Sequence, residues 1–102
     1  MLKRSVDLSE KSNVVYIGRK PPMSYVMAII TSFTGSNAKD VTLKARGRSI
    51  TTAVDTAEII RRRFMKDLDI SAITIGTEEI QQEEGGTRNV STIEIMLTRV
   101  SP

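Results

Sequence analysis

Between Lys39 and Met65 the apolar residues change their spacing. Before Gly47, Val41, Leu43 and Ala45 occupy alternate positions, the period of a strand with one face in a core. After it, Ile50, Ala53, Val54, Ala57, Ile60 and Phe64 recur every three or four residues, the stripe of an amphipathic helix. The chain must therefore build a sheet and a helical layer against it. At the junction stand Lys44, Ala45, Arg46, Gly47, Arg48, Ser49 and Ile50. Thr42, Lys44 and Arg46 point away from the apolar set, and Arg48 follows just past the glycine. Three cations beside a helix start suit a polyanion. A solvated edge with a turn glycine explains them equally well from this stretch alone.

The flanking sequence extends the pattern. Residues 1–12 are polar and charged and are expected to form a mobile tail ahead of a single domain over residues 13–100. A β-branched run over residues 13–17 predicts the first strand, followed by a loop with Arg19 and Lys20. Pro22 suits the first turn of a helix, and Val26, Ile29, Ile30 and Phe33 mark its apolar face up to Gly35. The free N–H groups at that helix start, beside Arg19 and Lys20, form a candidate phosphate seat. The second strand is expected over residues 39–47 and the second helix over 49–65, capped by Ser49 or Thr52. Glu58 precedes Arg62 in the favourable i,i+4 order. Ile59, Met65 and Phe64 are candidates for a subunit contact.

Residues 66–69 read as a turn. Residues 70–82 alternate weakly as a long strand with Ile73 and Ile75 on one face. Gly85 and Gly86 supply a hairpin tip. Residues 89–99 alternate cleanly, with Ile93, Ile95 and Leu97 inward and Thr92, Glu94, Met96 and Thr98 outward. The polar ends of these last two strands have little to pack against and are expected to project as an arm, a shape that can enter a groove of nucleic acid.

Charge and composition narrow the chemistry. Residues 1–66 hold 13 Lys and Arg against 5 Asp and Glu, a balance of +8, and residues 67–102 hold 2 against 7, a balance of −5. A basic body favours a polyanion partner on one face. The chain has no histidine and no cysteine, hence neither the commonest general base nor a thiolate metal site. Glu78-Glu79 and Glu83-Glu84 are adjacent pairs that split between strand faces and cannot converge as a dyad. No catalytic constellation, metal site or cofactor is expected. No run of about 18 apolar residues exists, so no membrane span is expected, and the first twelve residues lack a signal-peptide core. A cytoplasmic protein is the default.

The sequence resembles the Alba family, small basic chromatin and nucleic-acid-binding proteins of archaea. Asn13 to Pro21, Lys44 to Ile50, Ala53 to Phe64 and Val90 to Ile95 carry the resemblance, in order, over about residues 13–99. The Lys-Ala-Arg-Gly-Arg segment and the Ala-Val-Asp-Thr-Ala-Glu-Ile helix are its most specific parts. The resemblance implies a dimer, homomeric or with a paralogue, that binds double-stranded DNA and also RNA with little sequence preference. It implies that two hairpin arms, one per subunit, follow flanking minor grooves. Arg19, Lys20, Lys44, Arg46 and Arg48 would contact phosphates, Arg88 would do so from the arm, and Phe64 would link neighbouring dimers. Lys20 is the loop residue open to acetylation, because Arg19 stands where the family usually has a second lysine. Thr52 replaces a cation common in the family, and the usually basic hairpin tip here carries Glu83 and Glu84. The expected fold is α+β, a two-layer sandwich in β-α-β-α-β-β order with a four-stranded mixed sheet, two helices on one face and a projecting hairpin. The expected role is chromosome-associated DNA binding. A ribonucleoprotein subunit or RNA chaperone is the alternative, and a non-catalytic adaptor for an acidic protein comes third.

Overall fold

The computed structural model describes residues 12–100. The tail expected over residues 1–12 lies outside them apart from Ser12, which opens the first strand. The elements are β1 (Ser12–Tyr16), α1 (Pro22–Thr34), β2 (Asp40–Arg46), α2 (Ser49–Ile59) with a π-helical extension (Ile60–Phe64), β3 (Leu68–Gln81) and β4 (Thr87–Arg99). The sheet order is β1-β2-β4-β3. β1 is parallel to β2, while β4 runs antiparallel to both of its neighbours. The mixed sheet with two helices is as expected.

Three rungs set the inner face. Val41 lies opposite Leu97, Leu43 opposite Ile95 and Ala45 opposite Ile93. All but Ile93 are buried, with Val26, Ile29 and Phe33 of α1 and Ala53, Ala57 and Ile60 from the second helical segment. Thr56 is buried among them, and its hydroxyl donates to the Thr52 carbonyl at 2.7 Å, so it leaves no unpaired polar group. The opposite face carries Tyr16, Thr42, Lys44, Arg46, Thr92 and Glu94, and no layer of the described residues lies over it.

Several local expectations are corrected. Neither Ser49 nor Thr52 caps α2. Its N-cap is Arg48, without a side-chain bond, and Thr52 lies within the helix. The Ser49 hydroxyl bonds elsewhere, as described below. Leu68, assigned to a turn, begins β3 and is buried. The apolar stripe of α2 loses two members: Val54 is exposed, and so is Phe64, at 47%. Phe64 is displaced because the helix widens after Ile59. The Met65 N–H reaches back to the Ile60 carbonyl at 2.8 Å, an i→i+5 bond. A wider turn puts each following residue behind its α-helical position around the axis. Ile60 stays buried, Phe64 swings out, and Ile59 and Met65 pack partly against the core.

β3 contains a bulge. Ile70 pairs with Leu97 and Ala72 with Met96, so Ser71 is an extra residue in the ladder. Its hydroxyl accordingly lies 2.7 Å from Thr98 Oγ1 and donates to the Met96 carbonyl at 3.3 Å. Gly47 makes the turn from β2 into α2 with φ of 59°, and its N–H reaches the Ser91 carbonyl at 2.9 Å. Gly85 and Gly86, with φ of 97° and 77°, close the hairpin. From Thr77 to Asn89 the hairpin is exposed or only partly covered and extends past the helices as an arm.

Leu43 is fully buried at the centre of this layer. Leu43→Ala should lower unfolding stability by about 3 kcal/mol in chemical denaturation. A loss under about 1 kcal/mol would mean that the inner rung is not packed as described.

Candidate nucleic-acid interface

The predicted cations divide into two groups. Arg19 and Lys20 lie in the loop between β1 and α1, and Arg48 lies at the start of α2. The fold joins these places. The Ser49 hydroxyl donates to the Gly18 carbonyl at 3.1 Å, and the Ile17 N–H donates to the Lys44 carbonyl at 2.8 Å. Arg19, Lys20 and Arg48 are all exposed, and among the described residues none is paired with a carboxylate.

The loop is held from inside by Tyr25, which the sequence reading passed over. Its phenol oxygen accepts the Gly18 N–H at 2.9 Å and the Lys20 N–H at 3.0 Å. Tyr25 sits on the first full turn of α1, with its ring partly buried against the core. This geometry changes the expected phosphate seat. The Ser24 N–H donates to the Pro21 carbonyl at 3.0 Å, and Pro21 and Pro22 have no N–H. Of the loop and the first helical turn, Arg19 and Met23 keep backbone donors outside these bonds. An anion seated here would be held by side chains and not by the start of α1.

Lys44 and Arg46 form the second group, on the uncovered sheet face. Lys44 lies opposite Glu94 in the ladder, and its Nζ is 3.6 Å from Glu94 Oε2. Arg46 reaches past Thr92 to Glu78 of β3, donating to Oε1 at 2.6 Å. Beside these pairs runs a shallow groove of about 730 Å³, also lined by Tyr16, Thr77 and Thr92. Strand alternation correctly turned Glu94 outward. Sequence alone does not say which cation it faces, because that depends on the pairing register.

Arg88 lies on the arm opposite Ile80, on the same side as Arg46 but farther out. Arg61 and Arg62 share Glu58, at 3.4 and 2.9 Å, so the expected i,i+4 pair forms and these two arginines are tied to their own helix. Among the described residues no group of three or more His, Cys, Asp or Glu is placed to hold a metal ion, and no helix is long and apolar enough to cross a membrane.

The comparisons converge on one family. The Alba family model matches residues 13–77. The DNA/RNA-binding protein Alba of Methanocella arvoryzae is 53% identical over 89 residues, covering 87% of this chain and 92% of its own. The structure of Alba from Thermoplasma volcanium superposes with a TM-score of 0.79 at 46% identity, covering 85% of this chain and all of its own. ALBA1 from Trypanosoma brucei has the same fold at 26% identity and a TM-score of 0.65, over 85% of this chain and 68% of its own.

The Tyr25 contacts predict a local effect. Tyr25→Phe removes the shared acceptor, and amide hydrogen exchange at Gly18 and Lys20 should accelerate about tenfold, with the core amides unchanged. Equal rates in both proteins would show that the phenol does not hold the loop.

Proposed function

The chain belongs to the Alba family, and from that premise we propose that it is a dimeric, non-catalytic, sequence-tolerant binder of double-stranded DNA acting in chromatin. The observation that carries this reading is the cluster of Arg19, Lys20 and Arg48, three exposed cations gathered by the Ser49–Gly18 and Tyr25 bonds and, among the described residues, without carboxylate partners. Held in one place, they neutralise neighbouring phosphates, and the release of condensed counterions supplies affinity without reading bases. Lys44 and Arg46 border the same surface, and Arg88 extends it along the arm. Phe33 is buried and Tyr25 is turned inward to its loop, so beside the cations Tyr16, exposed opposite Lys44, is the one ring offered for stacking on an unpaired base among the described residues, and backbone contacts have more to work with. Acetylation of Lys20 would remove one of the three charges. Arg19 keeps its charge under the same treatment.

The dimer is supported by apolar surface that the monomer leaves open. Ile73 and Ile75, on β3 at the sheet edge, are 57% and 77% exposed on the helix side of the sheet. Ile75, with Ile50 of α2 and Ile93, borders a depression of about 470 Å³. A second copy, or a paralogue with the same surface, buries this strip and sets two basic clusters side by side. Phe64, displaced outward by the π turn, is assigned to contact between neighbouring dimers. The relatives carry DNA/RNA-binding in their names, so duplex RNA is the alternative target and a ribonucleoprotein the alternative setting.

Two measurements test this reading. Affinity for a short random duplex should fall steeply with salt and vary little with sequence. Arg19→Ala, Lys20→Ala and Arg48→Ala combined should flatten that slope by about 2.7, at about 0.9 per lost phosphate contact. A clear preference for a matched RNA duplex promotes the alternative, and no binding to either at low salt rejects the nucleic-acid reading. Ile75→Asp should convert the dimer to monomer in sedimentation experiments. A dimer that survives this change has its interface elsewhere.

A further inference from the structure

We infer that Glu78 and Glu94 are built-in competitors of phosphate, holding Lys44 and Arg46 out of nucleic-acid binding; the inference rests on the nucleic-acid reading above. Both carboxylates come from the acidic C-terminal part of the chain and both land on the cationic face of the sheet. Glu94 is fixed there by the ladder, directly across from Lys44. Glu78 is fixed at the root of the arm. Arg46, Thr92 and Gly76 form one rung, and Glu78 follows two residues along β3 on the same side. The guanidinium–carboxylate contact of 2.6 Å is the shortest ion pair among the described residues. On this patch two cations meet two anions, so the groove beside them is close to neutral.

The pairs are exposed, with side chains 37% to 60% accessible, so each is individually weak and can open. Opening does not remove the competitor. A carboxylate tethered two to three bonds from the backbone of the same sheet stays at high effective concentration beside its cation. A phosphate that takes Lys44 or Arg46 displaces a carboxylate, which then gathers a cation from solution. That uptake offsets the counterion released from the nucleic acid, so these two positions add little affinity and little salt dependence. Arg19, Lys20 and Arg48 face no such exchange. Binding is thus concentrated at one end of the sheet, and the two acids set how far it spreads across the open face.

The test is Glu78→Gln with Glu94→Gln, which keeps shape and hydrogen-bonding reach while removing both charges. Duplex DNA binding is measured against salt for the wild-type chain and the double variant, with Glu79→Gln as the control. Glu79 lies next in sequence but on the other face, where its carboxylate accepts from the Thr87 hydroxyl at 3.5 Å. The double variant should bind about tenfold tighter at about 50 mM salt, approach wild type near 200 mM, and show a slope steeper by about 1.8. Glu79→Gln should move the slope little. If the wild type binds and the double variant has the same affinity and slope, the inference fails while the nucleic-acid reading stands. If Glu79→Gln matches the gain per charge, the effect is the general field of the arm and the pairwise inference fails. If neither protein binds duplex at low salt, the nucleic-acid reading fails and takes this one with it.

Discussion

A strand rises more than twice as far per residue as a helix, and this mismatch shapes the molecule. The 13 residues of α1 span about 20 Å, whereas the 14 residues of β3 span about 46 Å. Two helices of this length can roof only one end of a sheet whose last strands run so far. The roofed end holds the core, from Val26 and Phe33 above to Leu43 and Leu97 below. Beside the roofed rungs, on the edge strand, Ile73 and Ile75 stand opposite Ile95 and Ile93 with no cover among the described residues. Farther out along β3 and β4 the side chains turn polar and the pair becomes an arm. Core and arm are successive stretches of β4, and the open apolar strip flanks the core on β3.

The mismatch also sorts the charges. A cation on a strand acquires cross-strand neighbours at fixed distances, and on the open face Lys44 and Arg46 meet Glu94 and Glu78 in this way, whereas Arg88 on the arm lies opposite Ile80. Lys44 and Arg46 are therefore compensated. A cation on a turn has no ladder partner. Arg48 escapes the ladder because Gly47, with its positive φ, takes the chain off the sheet before it. Arg19 and Lys20 escape because β1 ends at Tyr16. The basic character of the first two thirds of the chain is thus spatially uneven: among the described residues the cations at the two helix starts have no carboxylate partner, and neither do Lys39, Arg63 and Lys66 outside the strands.

Much of this was legible in the residues. Periods of two and of three to four placed every strand and helix, because one face of each is buried and the burial shows in the spacing. The arm was legible from its lack of apolar material. Three features were not. The helical stripe was extended to Phe64 because an i→i+5 turn leaves no mark in apolar spacing. The tyrosine clamp was missed because a phenol seven residues from the N–H it accepts looks like one more core aromatic. The ion pairs on the open face were missed because side-chain alternation gives the face and not the partner. Each depends on how two segments meet, which a local pattern does not contain.

The weak alternation along β3 also has a definite origin, and it reaches beyond that strand. Side chains on a strand obey a parity rule, and the extra residue at Ser71 acts like a shift of reading frame. Upstream of it the even-numbered Ile70 faces the helices; downstream the odd-numbered Ile73 and Ile75 do. Without the shift, both isoleucines would lie on the charged face and Glu78 would turn away from Arg46, with Glu79 in its place. One inserted serine therefore keeps two messages on the same strand in phase: oil on the helix side, acid toward the cations.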